Sequence, residues 1–241
     1  MSRFFLPPAA WQASLLEGAE ARHLSQVLRI RSGESITVFD GRGRRATAEV
    51  LSVSRERVAL QLGEPQTLPA PLPAITLAQA IPKGKNMDII VQKAVELGIA
   101  GIQPLVTRHT VVHPGDAKSE KWRRIALEAC KQCGQDTLPT IADPLPLERW
   151  LADQAAAPGL KLIASLTPGA RPLREVLRAA PGTRRVTLLV GPEGDFSTAE
   201  TGLALAAGFL PVSLGSIVLR VETAALFCLS ALRYEYSGDI L

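Results

Sequence analysis

From residue 74 onward the chain alternates between short β-forming runs and longer runs with helical periodicity, which limits the folds open to it. The predicted strands lie at residues 75–80, 99–106, 160–165, 186–190 and 211–214. The predicted helices lie at residues 87–97, 119–133, 172–180, 197–208 and 222–236. Because neighbouring parallel strands must be joined by crossovers, this pattern predicts an α/β fold with a mostly parallel sheet covered on both faces.

The first 70 residues predict a smaller, β-rich domain. Partial two-residue periodicity indicates strands at residues 3–6, 35–39, 46–54 and 57–62. Asp40-Gly41 is a hairpin turn signal. One helix interrupts the strands and ends before Gly33, with His23, Leu24, Val27 and Leu28 at the spacing of one helical face. This part of the chain is therefore expected to form a small barrel or sandwich.

A proline-rich stretch separates the two regions. Residues 64–73 contain four prolines, which exclude a helix or a central strand and predict a linker. We therefore expect one domain at residues 1–70 and a second at residues 74–241.

Composition excludes several classes of protein. The 241 residues are 46% apolar, enough for a core, but no apolar run reaches membrane-spanning length and prolines interrupt the N-terminus before a signal-type segment. Three cysteines do not form a disulfide framework, so a reducing, cytoplasmic location is expected. The net charge of +4, with basic clusters at residues 29–45 and 118–131, suits either an acidic partner or solvated faces.

Common enzyme motifs are missing. Gly41-Arg42-Gly43 lacks the third glycine of a dinucleotide fingerprint, and the segment at residues 83–85 lacks the second glycine and hydroxyl of a phosphate loop. No serine or cysteine stands in a nucleophile turn, so a hydrolase triad is unsupported.

The cysteines and histidines give weaker signals. Cys130 and Cys133 lie one helical turn apart without a second ligand pair, so core packing is favoured over zinc and no metal is expected; Cys228 is also expected in the core. His23 is expected on a helix surface or between domains. His109 and His113 fall in a loop after a strand, where a functional role stays open.

Two glycine loops carry the clearest functional signal. Gly191-Pro192-Glu193-Gly194 follows the strand at residues 186–190, and Leu214-Gly215 follows the last predicted strand. Each precedes a helix and therefore lies beyond the carboxyl end of a strand, where open α/β sheets bind ligands. Glycine lets the backbone adopt positive φ and approach a ligand closely. The pair of loops predicts a ligand site that works largely through backbone groups.

These loops resemble a known signature. Gly191-Pro192-Glu193-Gly194 and the segment at residues 214–224 resemble the cofactor-binding motifs of the SPOUT methyltransferases. The resemblance is strongest to the family that methylates N3 of a uridine in bacterial 16S rRNA of the small ribosomal subunit. It extends over nearly the whole chain, including the segments at residues 80–84 and 92–98. It implies an N-terminal PUA-like RNA-binding domain, a C-terminal trefoil knot, S-adenosylmethionine as cofactor and a homodimer.

The resemblance also implies roles for particular residues. Arg220 would hold the uracil or its developing charge, and Glu193 would contact the cofactor, transfer a proton or brace the loop. The implied cofactor-binding residues are Ser165, Leu166, Leu189, Gly191, Pro192, Gly194, Leu214, Gly215, Ile217, Leu219 and Thr223. The implied RNA-binding residues are Arg3, Arg22, Arg29, Arg31, Arg44, Arg45, Lys83, Lys85 and Arg108.

The chain departs from the family pattern at several positions. Asp195 stands where a second glycine is usual, Arg108-His109 replaces glutamate and arginine, and Gln135 replaces an arginine. Aspartate tolerates left-handed geometry less well than glycine, so the first loop is expected to differ locally. The competing hypothesis is a non-catalytic RNA-binding protein with an inactive SPOUT-like dimerisation domain. The intact glycine loops favour the enzyme.

Overall fold

The computed structural model describes residues 2–111 and 116–236. These residues form two compact units. The first comprises the chain up to Ala70 together with Leu127–Leu138, and the second comprises Pro71–Ala126 and the chain from Pro139 onward. His113, one of the histidines noted in the sequence, lies outside the described residues.

The first unit is built on a six-stranded sheet with the order β1-β3-β4-β5-β2, in which β6 also pairs with β4. Neighbouring strands are antiparallel except β1 and β3, which run parallel. The strands are β1 Arg3–Phe5, β2 Leu15–Glu17, β3 Ser35–Phe39, β4 Arg44–Val53, β5 Arg57–Leu62 and β6 Gln66–Thr67. The helices are α1 Pro8–Trp11, α2 Gly18–Arg22 and the π-helix His23–Leu28.

The predicted hairpin between β3 and β4 is confirmed. The Asp40 carboxylate is buried and accepts hydrogen bonds from the backbone N–H groups of Arg42 and Arg44, at 2.7 and 3.1 Å. Gly43 has a φ of +94°, and a Cβ at this position would lie 2.6 Å from the Leu68 carbonyl oxygen. Only glycine satisfies both conditions, so the turn chemistry sets the register of β3 on β4.

The helix predicted at residues 23–28 exists, but its predicted apolar face is wrong. Val27 and Leu28 are 69% and 42% exposed. The π-helix His23–Leu28 contains more residues per turn than an α-helix, so the 3.6-residue spacing no longer gathers its apolar residues on one face. It ends at Arg29, whose φ of +54° is left-handed.

The second unit carries an eight-stranded sheet in which every pair is parallel, as predicted. Its order is β10-β8-β7-β13-β11-β14-β12, with β9 on β8. The strands are β7 Ala74–Ala80, β8 Gly101–Val106, β9 Thr140–Ile141, β10 Leu145–Pro146, β11 Leu160–Ala164, β12 Arg171–Pro172, β13 Arg185–Val190 and β14 Leu210–Ser213. The helices are α3 Asn86–Glu96, α4 Asp116–Cys133, α5 Leu147–Gln154, α6 Leu173–Arg178, α7 Thr198–Ala206 and α8 Val221–Tyr236. The residues of α4 from Leu127 onward belong to the first unit.

Helix ends follow local chemistry. Ser197 and Glu200 form the predicted capping box at the start of α7. Gly98 and Gly134, after α3 and α4, have positive φ as expected of helix-ending glycines. Helix α5, which buries Trp150, has no counterpart among the predicted elements, because its eight residues give only a short periodic signal.

The cysteines have different environments. Cys130 and Cys228 are buried, which confirms the predicted core packing, and burial raises the pKa of each thiol to about 12. Cys133 is exposed, so the same expectation is wrong there, because this residue ends α4. None of the helices in the described ranges has the length and apolar character needed to cross a membrane.

One arginine fixes the closing helix. Arg233 of α8 donates to the backbone carbonyls of Leu97, Gly98 and Pro73. Burial lowers the pKa of its guanidinium. These bonds satisfy carbonyls beyond the end of α3 and hold the two helices together. They fix the C-terminal part of α8, where Arg233 lies, beside the residues that precede β7 and those that follow α3.

Candidate active site

A cleft of about 780 Å³ opens beyond the carboxyl ends of three neighbouring strands, β11, β13 and β14. The first turn of α8 closes one side of it. This is the position that the sequence predicts for a ligand site in a parallel sheet. The lining residues come from three segments, within residues 164–170, 190–195 and 213–224, together with Asn86.

The first glycine loop is a tight turn at one wall of the cleft. The Asp195 N–H donates to the Pro192 carbonyl at 3.0 Å, and Asp195 has a φ of +56°. Its Oδ1 accepts the N–H of Phe196 at 2.8 Å, which stabilises the turn from within. A Cβ at Gly191 would lie 3.1 Å from that Oδ1 and 3.2 Å from the Phe196 ring. Close packing, rather than positive φ, therefore favours glycine at position 191.

The second glycine loop supplies an apolar wall. It turns at Gly215, whose φ is +123°. Ile217 and Val218 after it are 77% and 71% exposed, and Leu166, from the loop after β11, is 63% exposed. All three line the cleft. Large apolar side chains gathered around one cavity are typical of a binding site for an organic ligand.

The cleft contains one basic side chain among its described lining residues, Arg220. Its carbonyl accepts the N–H of Ala224 at 2.8 Å, so it stands at the start of α8, where the helix dipole is positive. Within the described ranges, no residue pairs with its guanidinium. The arginine is exposed and available to an electron-rich ligand.

Two carboxylates of the cleft are engaged by a neighbouring loop. Glu193 accepts the backbone N–H of Lys83 at 2.9 Å, and Glu222 accepts the side-chain amide of Asn86 at 3.2 Å. Both contacts tie the segment between β7 and α3 to the cleft. The Glu193 contact is the loop-bracing role that the sequence left open for this residue.

Most of the predicted cofactor-binding residues lie together on the cleft wall. These are Ser165, Leu166, Gly191, Pro192, Leu214, Gly215, Ile217 and Leu219, and the two predicted catalytic residues Glu193 and Arg220 lie there as well. Leu189, Gly194 and Thr223 are not among the lining residues. Leu189 is fully buried in the core of the unit, and Gly194 lies against His109.

Some lining residues were missed from the sequence. Thr167 pairs with Ser165 through their hydroxyls at 2.7 Å, and Asn86 reaches the cleft from the start of α3. Asn86 is distant in sequence from both glycine loops, so no local pattern connects it with them. Glu222 belongs to the signature at residues 214–224, but the resemblance implies no role for it.

Family comparison agrees with this geometry. An RNA methyltransferase domain family matches residues 69–233, and an RNA methyltransferase PUA domain family matches residues 16–63. The chain belongs to the RNA methyltransferase family. The PUA match lies within the first unit, here called the PUA unit. The methyltransferase match covers residues 71–126 and 139–233 of the second, here called the methyltransferase unit, together with residues 127–138 of the first.

Named relatives of this methyltransferase come from several bacteria. The ribosomal RNA small subunit methyltransferase E of Synechocystis is 35% identical, over 87% of this chain and 69% of its own. The protein of that name from Buchnera aphidicola is 28% identical, over 95% and 93%. The solved structure of the Neisseria gonorrhoeae enzyme, bound to S-adenosyl methionine, is 32% identical, covers 100% of both chains and superposes with a TM-score of 0.88.

The predicted RNA-binding residues of the PUA unit fall into two groups. Arg3, Arg44 and Arg45 are engaged internally: Arg3 pairs with buried Asp136 at 2.6 Å, and Arg45 lies 3.7 Å from the same carboxylate. Arg44 pairs with Asp40 and stacks on Trp11. Arg22 forms an exposed pair with Glu56, whereas the side chains of Arg29 and Arg31 are exposed and have no partner among the described residues.

The predicted RNA-binding residues of the methyltransferase unit are all exposed. Lys83 and Lys85 lie in the loop before α3, and Arg108 lies in the loop after β8. Lys83 and Arg108 hold neighbouring carboxylates through their backbone N–H groups, which leaves their side chains in solvent.

Proposed function

We propose that this protein transfers a methyl group from S-adenosylmethionine to N3 of a uridine in 16S rRNA of the bacterial small ribosomal subunit. The observation that carries the proposal is a cleft in an RNA methyltransferase domain, built from two glycine loops and lined by Arg220, whose side chain has no partner among the described residues. The named relatives and the cofactor-bound neighbour support the same activity.

The cleft fits the proposed cofactor in size and chemistry. Its volume of about 780 Å³ is in the range of small-molecule sites. Leu166, Ile217 and Val218 offer exposed apolar surface for a planar base, and the backbone of the Gly215 loop offers polar groups. The carboxylates of Glu193, Asp195 and Glu222 suit a ligand with cationic groups. S-adenosylmethionine supplies, when bound, a methyl group already activated on a sulfonium.

Arg220 is proposed to act on the nucleotide. Uracil N3–H is a weak acid, and loss of its proton leaves negative charge on the ring. A free guanidinium at the positive end of α8 stabilises such charge without prior rearrangement of the protein. Glu193 uses one carboxylate oxygen to brace the Lys83 loop, which supports a structural role for it.

RNA affinity is proposed to come mainly from exposed basic side chains. Arg29 and Arg31 of the PUA unit, and Lys83, Lys85 and Arg108 of the methyltransferase unit, present their charges to solvent. Contacts of this kind are made with phosphates and give salt-dependent affinity with little sequence readout. The target uridine would then be selected at the cleft.

Three further features of the family are proposed for this chain. They are a homodimer, a C-terminal trefoil knot and a location in the cytoplasm, where small ribosomal subunits are found. We expect the reaction to need no metal, because the methyl donor is already activated.

The test is methylation of small ribosomal subunits prepared from a strain that lacks this protein. Incubation with the purified protein and S-adenosylmethionine, followed by mass spectrometry of the nucleosides, should yield 3-methyluridine. Calorimetry should show that the folded protein binds S-adenosylmethionine. Binding of rRNA without binding of the cofactor would favour the alternative, a non-catalytic RNA-binding protein.

A further inference from the structure

The loop after β8 presents His109 on a tight turn. The Thr110 N–H donates to the Thr107 carbonyl at 3.1 Å, and the Thr107 N–H donates to the Thr110 hydroxyl at 2.9 Å. Both threonines are buried, each 7% exposed. Since this turn is closed at both ends by its own hydrogen bonds, it holds the residue at position 109 in a defined place.

This turn packs against the first glycine loop of the proposed cofactor cleft. Nδ1 of His109 lies 2.9 Å from the Asp195 carbonyl oxygen. A Cβ at Gly194 would lie 3.2 Å from the His109 Cβ and 3.3 Å from its Cγ and Nδ1. The neighbouring Arg108 N–H donates to Glu200 at 2.8 Å, next to the same loop. The close approach of His109 thus favours glycine at position 194. The cleft places no such demand, because Gly194 is not among its lining residues.

The Asp195 carbonyl determines which nitrogen of His109 carries a proton. A carbonyl oxygen only accepts hydrogen bonds, so Nδ1 must carry the hydrogen in this contact. The imidazole then has the Nδ1–H tautomer when neutral, with Nε2 as its acceptor. The contact survives protonation of the ring, because imidazolium also carries a hydrogen on Nδ1.

We infer that His109 is a positioning residue for the cofactor, an inference that rests on the proposed function. It holds the Gly191–Asp195 loop by a hydrogen bond to the Asp195 carbonyl and by packing on Gly194. Asp195 is a non-glycine residue with left-handed φ, and its own side chain fixes only the N–H that follows it. The histidine fixes the carbonyl of the same residue, so the two contacts together orient this end of the loop.

The tautomer provides a test that does not require activity. Carbon and nitrogen chemical shifts of the labelled imidazole distinguish Nδ1–H from Nε2–H, which is the commoner form of a free histidine in water. We expect neutral His109 to be in the Nδ1–H form. Observation of the Nε2–H form in the folded protein would overturn the inference.

Matched variants test the positioning role. Asparagine carries an N–H donor on its Cγ, as histidine does, whereas alanine has no donor. We therefore expect His109→Ala to raise the dissociation constant of S-adenosylmethionine about five- to tenfold. His109→Asn should leave this constant within about twofold of the wild-type value. The turnover of His109→Ala at saturating cofactor should stay within about twofold of the wild type. Val111→Ala, an exposed change in the same loop, is the control for general damage.

The outcomes separate the two proposals. Wild-type affinity in His109→Ala, or equal losses in the alanine and asparagine variants, would overturn the role of His109. If the wild-type protein does not bind S-adenosylmethionine at all, the proposed function is wrong. The chemical shifts then still show whether the histidine donates to the loop.

Discussion

At the scale of single residues, three acidic side chains of the cleft form hydrogen bonds that hold its loops, and one basic side chain forms none within the described residues. Glu193 and Glu222 accept hydrogen bonds from the segment before and at the start of α3, and Asp195 caps its own turn. Arg220 has no such partner among the described residues. A side chain left without a structural contact beside a helix N-terminus is the best candidate for a contact with the reacting base.

Replacement of Arg220 by alanine should therefore reduce methyl transfer far more than cofactor binding. We expect the rate with saturating cofactor to fall about 10²- to 10³-fold, the loss typical of one charge-stabilising donor. The dissociation constant of S-adenosylmethionine should stay within about threefold. Initial rates on ribosomal subunits and calorimetry measure the two quantities. Arg174→Ala, an exposed arginine on α6, is the control, and an unchanged rate in Arg220→Ala would remove the assignment.

Asp195 allows a second comparison at this scale. Asp195→Gly relieves the left-handed strain but loses the hydrogen bond to Phe196, whereas Asp195→Ala loses the bond and retains the strain. We expect the alanine variant to be less stable than the glycine variant by about 1 kcal/mol. Urea unfolding of the two variants measures this difference. Equal stabilities would show that the strain at position 195 is negligible.

How far the sequence predicts a residue's role depends on where its partners lie. Arg220 and the glycine loops were recognisable because the residues beside them in sequence complete the pattern. The internal role of Arg3 was not, because its partner Asp136 is 133 positions away. Gly194 was assigned to the cofactor for the same reason: the histidine that favours glycine there comes from another loop.

At the scale of elements, most strands and the long helices were predictable, whereas several of the shortest elements were not. Burial on both faces gives the sheet strands continuous apolar runs, and α3, α4 and α8 repeat their apolar residues over several turns. Two-residue strands such as β9 and β12 have no periodicity to detect. The π-helix changes the period itself, which is why the exposed positions of Val27 and Leu28 were missed.

Glu200, in the first turn of α7, is expected to make the stability of the protein depend on pH. Burial alone would raise the pKa of Glu200, but hydrogen bonds from the Arg108 and Ser197 N–H groups and the Ser197 hydroxyl outweigh it and lower the pKa below the usual value of a glutamate. A carboxylate with a lowered pKa in the folded state stabilises the protein above the unfolded value and loses this contribution as the pH falls through the folded value. Glu200→Gln should therefore destabilise the methyltransferase unit at pH 7, by about 1–3 kcal/mol.

The difference between wild type and Glu200→Gln should shrink as the pH falls below the usual pKa of a glutamate and through the lowered pKa of Glu200, because protonation removes the charge that the variant lacks. Urea midpoints measured at pH 7 and in the acid range test this. The surface change Glu120→Gln is the control. A difference that does not depend on pH would show that the charge of Glu200 contributes nothing.

At the scale of the whole molecule, the two units have different proposed roles, catalysis and RNA binding. The methyltransferase unit contains the cleft, and the PUA unit contributes a compact sheet with exposed arginines. Family motifs and the proline-rich stretch predicted two regions with distinct folds. They did not predict that Leu127–Leu138 packs with the first unit, because that assignment depends on contacts such as those of Asp136 and Lys131 with β1 and α2.

This division predicts how RNA affinity responds to salt. Each phosphate that a basic side chain neutralises releases counterions. When the logarithm of the binding constant is plotted against the logarithm of the salt concentration, each such contact steepens the downward slope by about 0.7–0.9. Arg29→Ala and Arg31→Ala should each weaken binding of a 16S rRNA fragment and reduce the magnitude of the slope by about 0.7–0.9 if each arginine contacts one phosphate. Arg3→Ala should instead lower the stability of the PUA unit, because Arg3 is paired with buried Asp136.

Filter binding across a salt series measures the slopes, with Arg178→Ala, an exposed arginine at the end of α6, as control. Unchanged slopes in both the Arg29 and Arg31 variants would place the phosphate contacts elsewhere on the molecule.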